Sequence, residues 1–260
     1  MSLWAQAAPY ERYVGRWSRL VAREFVDWLG VAAGADWLDV GSGTGALAAT
    51  ALDAASPASV TGVDPSDGFV GHARSNVPTA TFVVGDVQAL PFADDSFHTV
   101  VSGLVLNFVP DQARAAAEMT RVARPGGTVA AYVWDYAGRM ELMRHFWDAA
   151  GELDPAAREL DEGQRFAAFD RPETLEQLLA AAAQVDVASR AIEIDTVFGD
   201  FDDYWQPFLG GQGPAPAYVA SLAEAERSEL RERLRRRLPS AADGSIPLVA
   251  RAWAARGRKP

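Results

Sequence analysis

Cysteine is absent from the 260 residues. That absence excludes a disulfide framework, a thiolate metal centre and a thiol nucleophile. Histidine is scarce, at three, and no cluster of acids and histidines has the spacing of a metal site. No apolar run approaches the ~20 residues that cross a bilayer. The opening Met1-Ser2-Leu3-Trp4 lacks the basic region and apolar core of a secretion signal. The expectation is a cytoplasmic chain without a membrane span. Positive charge is in deficit: 24 Lys and Arg against 35 Asp and Glu leave a net charge of −11 and a pI near 4.8. This balance argues against duplex nucleic acid or an anionic membrane as the main partner.

What the chain does hold in quantity is apolar surface, at 49% of residues. At this length about three quarters of the unfolded surface becomes buried, which suits one α/β domain with an elaboration. Its organising stretch is Trp37-Leu38-Asp39-Val40-Gly41-Ser42-Gly43-Thr44-Gly45-Ala46-Leu47-Ala48. It reads as a buried strand, a glycine turn and the first turn of a helix. Alternate glycines let the backbone turn sharply and approach a ligand, and the helix start directs free N–H groups at it. Gly41, Gly43 and Ala46 also satisfy the dinucleotide pattern G-x-G-x-x-G/A. Asp39 points elsewhere, because a carboxylate at the strand end suits a cationic ligand and repels a pyrophosphate.

Matching stretches follow in order. Val60-Thr61-Gly62-Val63-Asp64-Pro65-Ser66 is a strand ending in an acid, as is Val83-Val84-Gly85-Asp86-Val87-Gln88. Asp95-Ser96-Phe97-His98-Thr99-Val100-Val101-Ser102-Gly103 leads into a fourth strand, and Arg124-Pro125-Gly126-Gly127-Thr128-Val129 opens a fifth. Strand and helix alternate from 35 to 135, which predicts a parallel sheet with right-handed crossovers. Gly41, Asp64, Asp86 and Gly103 then all lie at strand carboxyl ends, where such sheets bind ligands.

This series resembles the class I S-adenosylmethionine-dependent methyltransferases, in particular the small-molecule group that includes the menaquinone and ubiquinone C-methyltransferases. The resemblance covers residues 10 to 135 well and the remainder loosely. It implies a Rossmann-like, doubly wound sheet of seven strands in order 3-2-1-4-5-7-6, mostly parallel with an antiparallel last strand. It also implies S-adenosyl-L-methionine as cofactor and S-adenosyl-L-homocysteine as product. In that frame Asp39 accepts from the cofactor's amino group. Gly41, Ser42, Gly43 and Gly45 pass close to its methionine part and ribose. Asp64, followed by Pro65, accepts from the ribose hydroxyls, while Asp86, Val87 and Gln88 meet the adenine and Gly103 closes the crevice. His98 stands where the family usually has aspartate, at the strand end away from the crevice, so the departure concerns packing.

The organisation expected for the whole chain has four parts: 1–34 an N-terminal helical cover, 35–135 the cofactor-binding core, 136–170 and 199–216 cap and substrate-pocket elements, and 171–198 and 217–260 the remainder of the same domain. Val14, Trp17, Val21, Phe25 and Trp28 form an apolar stripe over a helix at 10–29. Tyr13 and Arg16 on that helix are candidates to touch the cofactor. Residues 171–183 and 217–238 read as helices, 154–169 as irregular, 200–216 as a loop or lid, and 185–197 and 245–255 as strands. Acceptor-pocket candidates are Asn107 after the fourth strand and the aromatics Trp134, Tyr136, Phe146, Tyr204 and Trp205, which imply a small, fairly apolar acceptor. Methyl transfer needs little acid–base machinery, since positioning alone can supply ~7–11 kcal/mol; His145 is the one candidate base. The arginine run of 231–237, interleaved with glutamates, reads as a solvated helix face. The reading is a methyltransferase acting on O, N or C of a small molecule, as a monomer or homodimer, with no nucleic acid and no metal. Its rivals are a non-methylating S-adenosylmethionine-binding protein on the same fold and an NAD(P)-dependent oxidoreductase.

Overall fold

A computed structural model describes residues 15–210 and 213–260. In chain order its regular elements begin with α1 (Arg16–Leu29), β1 (Asp36–Val40), α2 (Ala46–Ala55), β2 (Ser59–Asp64), α3 (Asp67–Asn76), β3 (Thr81–Val84), β4 (Phe97–Gly103), α4 (Gln112–Val122) and β5 (Ala123–Trp134). They continue with α5 (Glu141–Leu153), α6 (Glu162–Arg165), α7 (Pro172–Ala181), β6 (Val185–Phe198), α8 (Phe201–Trp205), α9 (Pro214–Ser221), α10 (Glu224–Arg237) and β7 (Ile246–Arg258).

The strands form one sheet in the order β3-β2-β1-β4-β5-β7-β6, as expected. β1, β2, β3, β4 and β5 pair in parallel. Asp39 lies opposite Gly62 on one side and Val101 on the other, so the acid sits in the middle of the sheet. β7 runs antiparallel: Gly126 N donates to Lys259 O and Lys259 N to Gly127 O, whereas farther along Asp135 N donates to Arg251 O. Buried on both faces, β1 and β4 carry Trp37, Leu38 and Val40, and Val100 and Val101, the composition parallel strands require.

Contacts divide the chain into two compact units. One comprises Ser18–Val133, Arg171–Ile192 and Ala252–Pro260. Its buried core includes Val21, Ala22 and Phe25 of α1, Ala115, Ala116 and Met119 of α4 and the inner residues of the strands; the Phe25 and Tyr132 rings are 4.6 Å apart. The carboxyl end of α1 is closed by Arg256, which donates to the carbonyls of Trp28 and Leu29, where a cation also complements the helix dipole. The other unit comprises Trp134–Asp170 and Glu193–Arg251, with Arg16 and Trp17. Its interior is aromatic: Phe146 stacks on Phe208 at 4.5 Å, and Trp147, Tyr204 and Tyr218 surround them.

Several local readings are corrected. The described residues of the segment read as a loop or lid at 200–216 are helical: Asp200 caps α8 by accepting from Asp203 N at 2.8 Å, Gln206–Gly210 continues as a 3-10 turn, and α9 starts at Pro214. Residues 154–169 coil into three short helical turns, the first two opened by an aspartate: Asp154 accepts from Ala156 N and Asp161 from Gly163 N. The helix read at 217–238 is two helices, because Leu222 and Ala223 are extended, and Glu226 turns back to Ala223 N at 2.9 Å. β5 begins at Ala123 and β7 reaches Arg258, each longer than expected because the two pair along the whole antiparallel edge.

Candidate functional site

The glycine turn follows from the end of β1. Gly41 has φ +75° and its missing Cβ would lie 2.6 Å from Val105, so only glycine fits. Both Gly41 N and Ser42 N donate to Val63 O, at 2.8 and 2.9 Å, which ties the turn to β2. Gly43 and Gly45 also have positive φ. Gly45 is the N-cap of α2 and offers no side chain to its first amides. Asp39 supplies what is missing: its Oδ2 accepts from Ala48 N at 3.1 Å.

Asp39 is 2% exposed. Burial pushes its carboxyl up to about 7, the Ala48 amide opposes that, and the nearby Asp64 adds to it. Asp64, also buried, bridges two turns: Oδ2 accepts from Gly43 N and Oδ1 from Ser66 N, both at 2.9 Å. Burial raises its pKa against those two amides. Two acids thus stand at one glycine turn beside the N-terminus of α2, and neither has a cationic side chain paired to it among the described residues. A ligand bearing positive charge and hydroxyl groups complements that arrangement.

Asp86 lies on the surface, its Oδ1 accepting from Gln88 N at 2.8 Å, and this bond holds its pKa low. Gln88 reaches Asp111 N through its side chain at 3.0 Å and receives Arg114 on its carbonyl, so the β3 turn is pinned to the start of α4. Val87 is buried and Pro65 exposed. A side chain on Gly103 would strike the Tyr132 hydroxyl at 2.6 Å. Just past β4, Leu104 takes φ +63° and the chain enters a 3-10 turn, Leu106–Phe108. That turn carries Asn107, 7% exposed, whose Nδ2 has no hydrogen-bond partner; Ser42 Oγ is likewise buried and unpartnered. Unpaired buried polar atoms are costly, and these two fit a site completed by a ligand. Sequence reading missed Val105, whose side chain fills the space over Gly41; Ser102, read with Gly103 at the carboxyl end of the fourth strand, donates its hydroxyl to Val40 O at 2.8 Å.

The remaining candidates lie in the other unit. Arg16 donates to Asp203 at 2.8 Å and is held 4.5 Å from the Trp17 and Phe198 rings. Tyr13 lies outside the described residues. Phe146 and Tyr204 are wholly buried, the Tyr204 hydroxyl donating to Leu142 O at 3.0 Å; burial drives its pKa upward. Trp205, Trp134 and Tyr136 are buried too, Tyr136 against Phe166. His145 on α5 is half-buried, which lowers its pKa, with Glu141, Asp148 and Arg237 as its charged neighbours. His98 sits at the start of β4 between Asp36 and Arg124. The arginines of α10 pair with Asp202, Glu229, Glu232, Glu152 and Asp148. Among the described residues no group of three acids and histidines could hold a metal, and no helix is long and apolar enough to cross a membrane.

The family model described as a methyltransferase domain matches residues 38–131. The chain is 40% identical to the demethylmenaquinone methyltransferase of Renibacterium salmoninarum over 112 residues, 43% of this chain and 45% of that protein. To the demethylmenaquinone methyltransferase of Roseiflexus sp. (strain RS-1) it is 35% identical over 174 residues, 60% of this chain and 70% of that one. Most of the first curated relatives are matched over about half their own length. Among solved structures, phosphoethanolamine N-methyltransferase 2 of Haemonchus contortus, in complex with phosphomonomethylethanolamine and S-adenosylhomocysteine, superposes with a TM-score of 0.59 at 16% identity, covering 97% of this chain and 58% of that one. That likeness is one of fold.

Proposed function

Because the chain belongs to the class I S-adenosylmethionine-dependent methyltransferase family, we propose that it transfers a methyl group from S-adenosyl-L-methionine to O, N or C of a small, fairly apolar molecule. The observation that carries the reading is the acid pair at the glycine turn: Asp39 and Asp64, both buried, beside unpartnered Ser42 and Asn107. When bound, S-adenosylmethionine, the family's cofactor, supplies a methyl group on a sulfonium, an activated leaving group open to in-line displacement.

In this proposal Asp39 accepts from the ammonium of the cofactor's amino-acid tail, and the Gly41, Gly43 and Gly45 backbone lets that tail approach. Asp64 keeps one lone pair on each oxygen beyond the Gly43 and Ser66 amides, enough to accept from two ribose hydroxyls. Asp86, Val87 and Gln88 border the adenine, with Val87 offering apolar surface. Ser42 and Gly103 line the crevice, and Asn107 donates to the cofactor or the acceptor. Trp134 and Tyr136 are the apolar surface proposed for the acceptor. His145 is the proposed proton acceptor where the substrate must lose one, and burial favours the neutral form that could do so. Holding the acceptor behind the methyl group supplies most of the rate, since positioning is worth ~7–11 kcal/mol.

The test is methyl-labelled S-adenosylmethionine incubated with the protein and an extract of its source cells. Label in a single small-molecule peak is expected and identifies the acceptor. Label in protein or nucleic acid would overturn the acceptor class. Tight NADH binding without S-adenosylhomocysteine binding would overturn the reaction.

A further inference from the structure

Residues 86–96 join β3 to β4 with little regular structure: Asp86 meets Ala89 in an isolated bridge, and Phe92 N turns back to Leu90 O at 2.9 Å. Asp86 is exposed, so packing does not fix where its carboxylate stands. Side chains of α4 hold the segment instead. Asp111, Arg114, Glu118 and Arg121 recur at three-to-four spacing and so share one face of that helix, with Asp111 as its N-cap. Arg114 Nε donates to Gln88 O at 2.7 Å, and Asp111 N donates to Gln88 Oε1 at 3.0 Å. Glu118 Oε2 accepts from Leu90 N at 2.8 Å. Arg121 donates from one terminal nitrogen to Phe92 O and Asp94, both at 2.8 Å, and from the other to Leu90 O at 3.0 Å. Its Nε and that second terminal nitrogen also pair with the two Glu118 oxygens, at 2.7 and 2.8 Å. All of these residues lie within the unit that includes Ser18–Val133.

These bonds reach Asp86 through Gln88. The Gln88 backbone amide donates to Asp86 Oδ1 at 2.8 Å, and its side-chain amide donates to the same oxygen at 3.3 Å. Both carbonyl oxygens of Gln88 are taken by α4. Gln88 is thus fixed at four atoms, and it fixes one carboxylate oxygen of Asp86 in turn. A guanidinium suits the remaining task. It is planar, permanently charged and forked, so Arg121 holds two carbonyls and two carboxylates in one geometry. A segment without such bonds samples many backbone conformations. A ligand that binds one of them loses affinity in proportion to the fraction so held.

We propose that Arg114 and Arg121 are positioning residues for the adenine end of the cofactor: they hold residues 86–92 in the one backbone conformation that presents Asp86 and Val87 to the base. Both roles presuppose that the chain binds S-adenosylmethionine. The test is calorimetric titration of the full chain with S-adenosylhomocysteine and with S-inosylhomocysteine, whose base carries an oxygen in place of the amino group that Asp86 accepts from. The parent chain should prefer the adenine ligand. Arg114 is exposed, so Arg114→Gln should fold. It should weaken S-adenosylhomocysteine about tenfold, as when the competent fraction falls to about a tenth. S-inosylhomocysteine should weaken less, so that the preference narrows. Arg121→Gln should narrow it too, and Arg121→Lys, which keeps the charge and loses the fork, should fall between parent and Arg121→Gln. Arg124→Gln removes a bond to Asp95 O at the far end of the same segment and should leave both affinities unchanged. Equal affinities in the parent chain and Arg114→Gln, or a loss shared equally by both ligands, overturns the positioning role and leaves cofactor binding standing. Failure of the parent chain to bind S-adenosylhomocysteine overturns the cofactor reading and the positioning role with it.

Discussion

A carboxyl group as deeply buried as that of Asp39 keeps its proton up to about pH 7. A ligand that pairs with the charged form must displace that proton at lower pH. Affinity for S-adenosylhomocysteine should therefore weaken as pH falls below about 7 and level off above it, with calorimetric titration as the check. Asp39→Asn can still accept from Ala48 N, so the fold should persist, while affinity drops about 100-fold and loses its pH dependence; unchanged affinity would remove Asp39 from the site. Gly41 yields a purely steric expectation. An alanine there combines φ +75° with a Cβ 2.6 Å from Val105, and should cost about 2–4 kcal/mol in denaturant unfolding. Adding Val105→Ala should recover part of that loss, because the Cγ atoms at 2.6 and 2.8 Å are then gone and only the Cβ at 3.0 Å remains.

Short elements gain stability from caps and from what they bury, and α6 shows both. Asp161 caps it, accepting from Gly163 N at 2.7 Å, while Glu162 in its first turn is buried and accepts from Trp147 Nε1. Burial lifts Glu162 to about 7. A folded-state pKa above the unfolded value means stability that is fully present below about pH 4.5 and lost as pH rises through about 7. Glu162→Gln keeps an acceptor for Trp147 and has no proton to lose. Its stability relative to the parent chain should improve as pH is raised from about 5 to 8, measured by urea midpoints; a constant difference across that range would show that Glu162 is ionised throughout and its pKa not raised. The corrected segment at 200–210 belongs to the same scale. Helices of one or two turns have too little periodicity to stand out in sequence, and acidic, aromatic and glycine–proline composition masked them.

At the scale of the whole molecule, the sheet order and the family agree, and the net charge of −11 with a pI near 4.8 sets colloidal behaviour: solubility should pass through a minimum near that pH. A cofactor that binds only the folded chain stabilises it by mass action, ~2.7 kcal/mol at a hundredfold excess over Kd. Saturating S-adenosylhomocysteine should raise the melting temperature and NADH should not. The opposite result would move the chain to nicotinamide chemistry.

The strands of the parallel half and the acids at their carboxyl ends were legible in the residues, and the strand order followed from the family those residues resemble. Glycines that need positive φ, acids closing strands and apolar runs closing helices are local signals, and five of them in succession leave few sheets to build. Tertiary structure decided the rest. That Val105 fills the space over Gly41, that Asp64 holds Gly43 across the turn, and that Phe146 and Tyr204 form interior where an acceptor surface was expected all depend on side chains far apart in sequence. Burial, which lifts Asp39 and Glu162 to about 7, is likewise a property of surroundings. The bonds from Arg114 and Arg121 to residues 88–92 arise where α4 meets the segment after β3, and no local pattern records a meeting of that kind.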